Sequence, residues 1–254
     1  MKIILEEIYS DFILEENIKN REVYKTKYKG WFSASSAGSC FRKQLYRANS
    51  YEAPESASDN RVGRLLRLGT IVHSDFEKAI ENYKKNIDDD KVIYTEHRVE
   101  LPELNVVGHL DIAVSDNDDS LEIYDIKTVA SYKWSKQFGL IKNRDKNPSV
   151  KYELQLATYA IGMANNLQSD LDKIFLYLLW YKKDDSRIKI KEVPTFWMDN
   201  AFEYWTDLMD VQESVNDTPD KLIPGSENVP VDNWECRYCE YQGLYCEGVP
   251  SNRK

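Results

Sequence analysis

No apolar stretch in this chain is longer than eight residues, the run at 174–181. That is too short to span a bilayer and suited to a buried strand. Internal repeats and low-complexity tracts are absent too, so nothing points to a repeat architecture. An excess of positive charge is missing: the net charge of −9 argues against a protein that coats nucleic acid without selectivity. Cysteine is scarce, with four in 254 residues. The sequence opens Met1-Lys2-Ile3-Ile4-Leu5-Glu6-Glu7, turning acidic at once and offering no small-residue cleavage site. No export signal is expected from it, and a cytoplasmic location follows. In that reducing setting four cysteines read as metal ligands before disulfides.

What is present describes a globular protein. Hydrophobic residues make up 42% of the chain, and 254 residues can bury a sizeable core. The expected organisation is an N-terminal region at 1–60, a core at 61–215 and a tail at 216–254 rich in proline and cysteine. Residues 1–30, acidic and then basic, look peripheral, and 53–60 reads as a loop. Helices are expected at 40–49, 62–86, 132–138, 150–165 and 197–215, and strands at 91–101, 106–115, 120–128, 173–181 and 187–193. Helices alternating with such strands indicate an α/β fold with a mixed central sheet flanked by helices. Charge is unevenly distributed. Residues 21–71 hold ten Lys/Arg against four acids, and residues 127–151 hold seven against Asp145 alone. Two basic segments on either side of a carboxylate hairpin suit a phosphate backbone led to a metal, although such runs are also ordinary solvated faces.

The hairpin is the most informative segment. Residues 108–111 read Gly-His-Leu-Asp and residues 124–127 read Tyr-Asp-Ile-Lys, with the acidic turn Asp116-Asn117-Asp118-Asp119 between the two strands. Side chains alternate along a strand, so Asp125 and Lys127 share a face. A loop of three or five residues sets Asp111 directly opposite Asp125 on that face. Two facing carboxylates repel unless a cation lies between them, and oxygen ligands of this kind suit Mg²⁺ or Mn²⁺.

His73 lies in the apolar stripe of the helix at 62–86, with Gly69 one turn before it and Glu77 one turn after. It reads either as a core histidine or as a ligand beside the carboxylates, a donor set that favours Mn²⁺, with Glu77 orienting the ring. On the helix at 150–165, Tyr152, Gln155 and Tyr159 share one side. The amide and phenol can hydrogen-bond a phosphate or stack on a base, or Tyr159 can simply pack. Cys236, Cys239 and Cys246 fall within eleven residues, and Cys40 lies 196 positions upstream. Four thiolates can close a tetrahedral zinc site or hold an iron–sulfur cluster, and spacing does not choose between them. Either would tie the tail to the start of the fold.

Taken in order, Cys40, Gly69-x-x-x-His73-x-x-x-Glu77, Gly108-x-x-Asp111, Asp125-Ile126-Lys127, Gln155-x-x-x-Tyr159 and Cys236-x-x-Cys239 with Cys246 resemble the RecB-like branch of the PD-(D/E)xK nucleases. The stand-alone size and split cysteine pattern are most similar to the CRISPR-associated RecB-like exonucleases and their phage and mitochondrial relatives. The resemblance implies a restriction-endonuclease-like core and a 4Fe–4S cluster on Cys40, Cys236, Cys239 and Cys246. It also implies Mg²⁺ or Mn²⁺ on His73, Asp111, Asp125 and the carbonyl of Ile126, and catalytic roles for Asp111, Asp125, Lys127, Gln155 and Tyr159. The implied activity is exonucleolytic hydrolysis of DNA, single-stranded or with free ends, and the implied partners are DNA, a second copy or another DNA-processing protein, with no membrane. Two other classes stay open: an idle nucleic-acid-binding protein keeping the fold, and a zinc-stapled interaction module.

Overall fold

The computed structural model describes residues 4–52, 60–85, 91–116, 120–141, 148–169, 171–215 and 233–246. In chain order the elements are helix α1 (Leu5–Lys27), strand β1 (Phe32–Ser33), helices α2 (Phe41–Ala48) and α3 (Asn60–Lys84), strands β2 (Val92–Leu101), β3 (Val106–Ser115) and β4 (Leu121–Val129), helices α4 (Ser131–Gln137) and α5 (Val150–Leu167), strands β5 (Ile174–Lys182) and β6 (Ile188–Val193), and helices α6 (Trp197–Val215) and α7 (Asn233–Arg237). The described residues form two compact units. One takes Ser33–Ala37 and Leu68–Trp205; the other takes residues up to Phe32, Gly38–Arg67 and those from Thr206 onward. The N-terminal region and the tail, expected as separate segments, therefore belong to one unit.

The strands make a mixed six-stranded sheet of order β1-β3-β4-β5-β6, with β2 also paired to β3. β2, β3 and β4 run antiparallel in sequence, β4 and β5 are parallel, and β6 returns antiparallel to β5. A parallel pair needs a long crossover, and α4 with α5 supplies it. β4 and β5 carry the apolar residues expected of central strands: Leu121, Ile123, Leu176, Leu178 and Trp180 are each fully buried.

Helix α5 is buried almost all round, from Glu153 through Ala164, which explains why its sequence shows no clean polar face. Gly162 lets it seat on β2, since a Cβ there would meet Val99 Cγ1 at 2.1 Å. Trp205, midway along α6, donates its indole N–H to Thr158 on α5 at 2.8 Å. On the opposite face of the sheet, Ile112, Ile126 and Leu179 pack against Phe76 and Ile80 of α3.

That contact uses only the second half of the α3 stripe. Val62, Leu65 and Leu66 at its other end are 46%, 42% and 65% exposed, so the expectation of one continuous buried stripe is corrected. The periodicity of a helix says which residues share a face, not how far its partner extends. Helix α1 is a second departure, because its mixed charges conceal 23 helical residues. The turn residues 117–119 and residues 53–59 of the expected loop at 53–60 lie outside the described residues, and Asn60 already belongs to α3.

In the other unit, residues 233–246 pack against α2. Tyr46 sits within 5.1–5.7 Å of the rings of Tyr51, Tyr241 and Tyr245, and donates its hydroxyl to the Tyr245 carbonyl at 2.8 Å. Lys43 and Arg47 both pair with Glu240, at 2.9 and 2.7 Å. Arg64 pairs with Glu6 and donates to Ser10, and Arg67 lies over the Phe12 ring. Lys43, Arg47, Arg64 and Arg67 of the first basic segment thus make contacts within the protein. Two of its arginines, Arg47 and Arg64, meet acids brought close by folding from distant sequence positions.

Candidate active site

The register of the hairpin decides what faces what. β3 and β4 pair Ser115 with Leu121 and Ile112 with Tyr124, so the next position sets Asp111 across from Asp125. The ladder stops there for a visible reason: Asp111 Oδ2 accepts the backbone N–H of Ile126 at 2.6 Å, taking the place of a strand carbonyl. Its other oxygen, Oδ1, lies 3.1 Å from His73 Nδ1. One carboxylate therefore links α3, β3 and β4.

Asp125 is 1% exposed. Its Oδ2 lies 2.7 Å from Lys127 Nζ, yet accepts no hydrogen bond of good geometry. Burial raises the Asp125 pKa, the Lys127 ammonium lowers it, and the Asp111 charge raises it again, leaving it above the ordinary carboxylate range. Lys127 donates to Gln155 Oε1 at 2.8 Å. The Gln155 amide donates in turn to Asp125 Oδ1 at 3.3 Å and to the Tyr159 hydroxyl at 2.9 Å. Gln155 and Tyr159, at 8% and 3% exposed, are thus struts behind Lys127 rather than outward platforms for a base. Burial holds the Tyr159 hydroxyl well above its ordinary pKa, so it stays protonated.

Two glycines make this arrangement possible. A Cβ at Gly108 would come within 2.8 Å of both Tyr159 Cε1 and Ala34 Cβ, and one at Gly69 within 2.9 Å of Thr128 Oγ1. The glycines of the two motifs therefore admit, respectively, the tyrosine and the end of β4.

Sequence reasoning missed Glu96. β2 pairs Thr95 with Ile112 and His97 with Leu110, so Glu96 lies across from Asp111. Its backbone is left-handed, with φ of 46°, a conformation rare for a side-chain-bearing residue and absent from any propensity signal. Ligand atoms of His73, Glu96 and Asp111 lie within 4.8 Å of one another, the one such trio of His, Cys, Asp or Glu among the described residues. Glu96 is exposed as a residue, but its carboxyl end is partly withdrawn from water beside Asp111 and hydrogen-bonds Glu77. Burial and those two negative neighbours push its pKa up to about 7. Glu77 thus partners Glu96, which departs from its expected role of orienting His73. Burial by itself would lower the His73 pKa, but the hydrogen bond its ring donates to Asp111 and the charges of Asp111 and Asp125 outweigh that and raise it.

The four cysteines gather in the other unit. Cys40 immediately precedes α2, and Cys236, Cys239 and Cys246 lie in the segment packed on that helix. None of the four is in a disulfide, and all are half-buried. Burial raises the Cys40 thiol, and the Cys246 and Cys239 sulfurs are near enough to raise it further. Arg42 Nη1 donates to Cys246 Sγ at 3.6 Å.

Three comparisons bear on this geometry. Residues 72–246, more than two thirds of the chain, match the model of the PD-(D/E)XK nuclease superfamily, and the chain belongs to that superfamily. Among solved structures, one titled crystal structure of SSO0001 is similar at 16% identity, covering 96% of this chain and 98% of that one, with a TM-score of 0.57. An alkaline exonuclease, LHK-Exo from Laribacter hongkongensis, is similar at 12% identity over 76% of this chain and 93% of that one, with a TM-score of 0.42. A search of curated proteins returns no match. No helix among the described residues is long and apolar enough to cross a membrane.

Proposed function

We propose that this protein is a divalent-metal-dependent deoxyribonuclease that hydrolyses phosphodiester bonds from DNA ends or along single strands. The observation that carries this reading is a buried carboxylate, Asp125, whose Oδ2 is met only by the Lys127 ammonium at 2.7 Å among the described residues, set across the sheet from a second carboxylate, Asp111. Membership of the nuclease superfamily supports it.

The donor set fits a hard divalent ion. His73, Asp111 and Asp125, with the carbonyl of Ile126, would hold Mg²⁺ or Mn²⁺, and Glu96 stands where it can add a further oxygen. A divalent ion so held supplies Lewis acidity, polarising the phosphate and lowering the pKa of water. The chain's own groups do the rest. Asp111 fixes the spacing of β3 and β4 through the Ile126 N–H and orients the His73 ring. Lys127, held by Asp125 and Gln155, keeps its ammonium toward the phosphate oxygens on which negative charge grows, or positions the attacking water. Gln155 and Tyr159 restrict the rotamers of Lys127, so the charge is preorganised before substrate arrives.

The second cofactor would be a 4Fe–4S cluster on Cys40, Cys236, Cys239 and Cys246, with zinc as the alternative. Burial keeps the Cys40 and Cys239 thiols neutral by themselves, so thiolates there need a compensating cation. The Arg42 contact to Cys246 is of the kind that tunes cluster sulfurs.

Anaerobically purified protein titrated with Mg²⁺ or Mn²⁺ should degrade end-labelled DNA, and Asp125→Asn should abolish this. Undiminished digestion by that variant would refute the assignment. A brown preparation absorbing at about 400 nm, with iron and sulfide in equal amounts, would mark the cluster, and stoichiometric zinc the alternative.

A further inference from the structure

A lysine carries its charge on a flexible four-carbon stem, which must be held at several points if the ammonium is to keep one place. For Lys127 two of them are Asp125 Oδ2, at 2.7 Å, and Gln155 Oε1, at 2.8 Å. A third comes from Tyr152, one turn before Gln155 on α5: Lys127 Nζ lies over its ring, 5.0 Å from the centroid. That is inside the reach of about 6 Å over which a ring face attracts a cation. The Lys127 side chain is only 14% exposed, so little water competes for the ammonium.

The ring is itself fixed. It packs T-shaped against Trp180, at 5.5 Å and 70°, and Trp180 is fully buried in β5. Lys133 of α4 also lies over it, at 5.1 Å, and donates to the Pro148 carbonyl just ahead of α5 at 2.7 Å. Burial raises the Tyr152 pKa against the pull of Lys127, so the phenol meets the lysine in its neutral form. The kind of hold matters here. A further carboxylate would cancel more of the lysine's charge, whereas a neutral ring attracts it through the quadrupole and adds no counter-charge. The position of the ammonium is narrowed and its charge stays available.

We propose that Tyr152 is a positioning residue for cleavage: its ring face holds the Lys127 ammonium by a cation–π contact and so sets where that charge meets the phosphate. The proposal rests on the nuclease reading and deepens it by giving Lys127 a support beyond Asp125 and Gln155. The ring acts through the lysine and not on the strand, so its effect falls on kcat before KM.

The test replaces Tyr152 in the full chain by phenylalanine and by the mono-, di- and trifluorinated forms of phenylalanine. Fluorine draws π density off the ring face with little change in volume, which weakens the attraction for a cation. In Mn²⁺, kcat for an end-labelled single-stranded oligonucleotide should fall stepwise along this series, by about tenfold in all. KM should change by less than about twofold, and the Tm should stay within about 3 °C across the series. A ring that merely packs would give the same kcat throughout, and such a flat series would overturn the proposal while leaving the nuclease standing. A loss carried by KM alone would do the same. A second readout needs no cleavage. In the metal-free protein the Lys127 ε-methylene protons, assigned through Lys127→Arg, should show an upfield ring-current shift that Tyr152→Leu removes. Signals at the ordinary lysine position in the wild type would overturn the contact whatever the activity. The wild-type signals and the fluorine series decide the matter even if Tyr152→Leu fails to fold. A wild type that shows the upfield shift yet leaves the oligonucleotide uncut would sink the nuclease reading, and the positioning role with it.

Discussion

The carboxylate site and the four cysteines both bring together residues far apart in sequence, by opposite means. At the first, the protein finishes the work itself: Asp111 is tied to Ile126 and His73, and Lys127 to Asp125 and Gln155, on strands whose register is fixed by a buried face. At the second, four half-buried thiols come from two segments joined by aromatic packing and by Glu240 with its two cations. A site built on a sheet keeps its geometry without an ion. With the proposed cluster or zinc in place, a site closed by a tail would depend on what it binds for part of its own stability. The difference predicts that lesions at the two places fail in different ways.

The largest effect belongs to the sheet site. Asp125→Asn should lower cleavage by about a thousandfold or more, while the Tm stays within about 3 °C of wild type, because the amide keeps the volume and loses only the charge. Activity followed alongside thermal melting would expose a fold defect masquerading as a catalytic one. Next comes Cys239→Ser, which should lower the Tm by about 5–10 °C and bleach any visible absorbance. A variant equally heat-stable would erase the contrast between the two sites. Smaller again is Gln155→Ala, expected to cost about 10–100-fold in kcat by freeing Lys127, with a pH profile that shifts along with it; a purely packing role would leave that profile where it was.

The smallest effect is one of linkage. Glu96, pushed up to about 7 from its ordinary 4.5, is raised on folding, as are Asp125 and His73. A group so raised contributes stability that is whole below its unfolded pKa and is lost as the pH climbs through its folded one, for Glu96 between 4.5 and about 7. The metal-free protein should therefore lose stability across that window, and Mn²⁺, which prefers the deprotonated carboxylates, should restore it. The Mn²⁺-induced rise in Tm should be larger by about 3 °C at about pH 8 than at about pH 5.5, measured by scanning calorimetry. An equal rise at both would place the ion elsewhere.

Much of the fold was legible because the core strands and α5 are defined by period and length. The expected strand at 106–115 coincides with β3 and the helix at 197–215 with α6; β4, β5 and β6 differ by a residue at one or both ends. The opposition of Asp111 and Asp125 was legible too, because a short turn leaves few registers and alternation does the rest. Three things were not. Glu96 enters the site through a left-handed residue and through the pairing of β2 with β3, neither of which a single strand announces. The inward aim of Gln155 and Tyr159 depends on α5 being enveloped, a property of its neighbours. The partner of Lys43 and Arg47, Glu240, lies 193 residues and more away, so nothing nearby in the sequence shows that these two cations are spent on it.

One missing carbon atom has a long reach. The bare backbone at Gly108 leaves exactly the room the Tyr159 ring occupies, and that ring's hydroxyl meets the amide on which the Lys127 ammonium leans. A methyl group grafted at position 108 would press on the ring, tilt the amide and swing the charge away, a lever with its fulcrum on β3. Under the proposed function, cleavage would thus be trimmed from a position that carries no ionisable group.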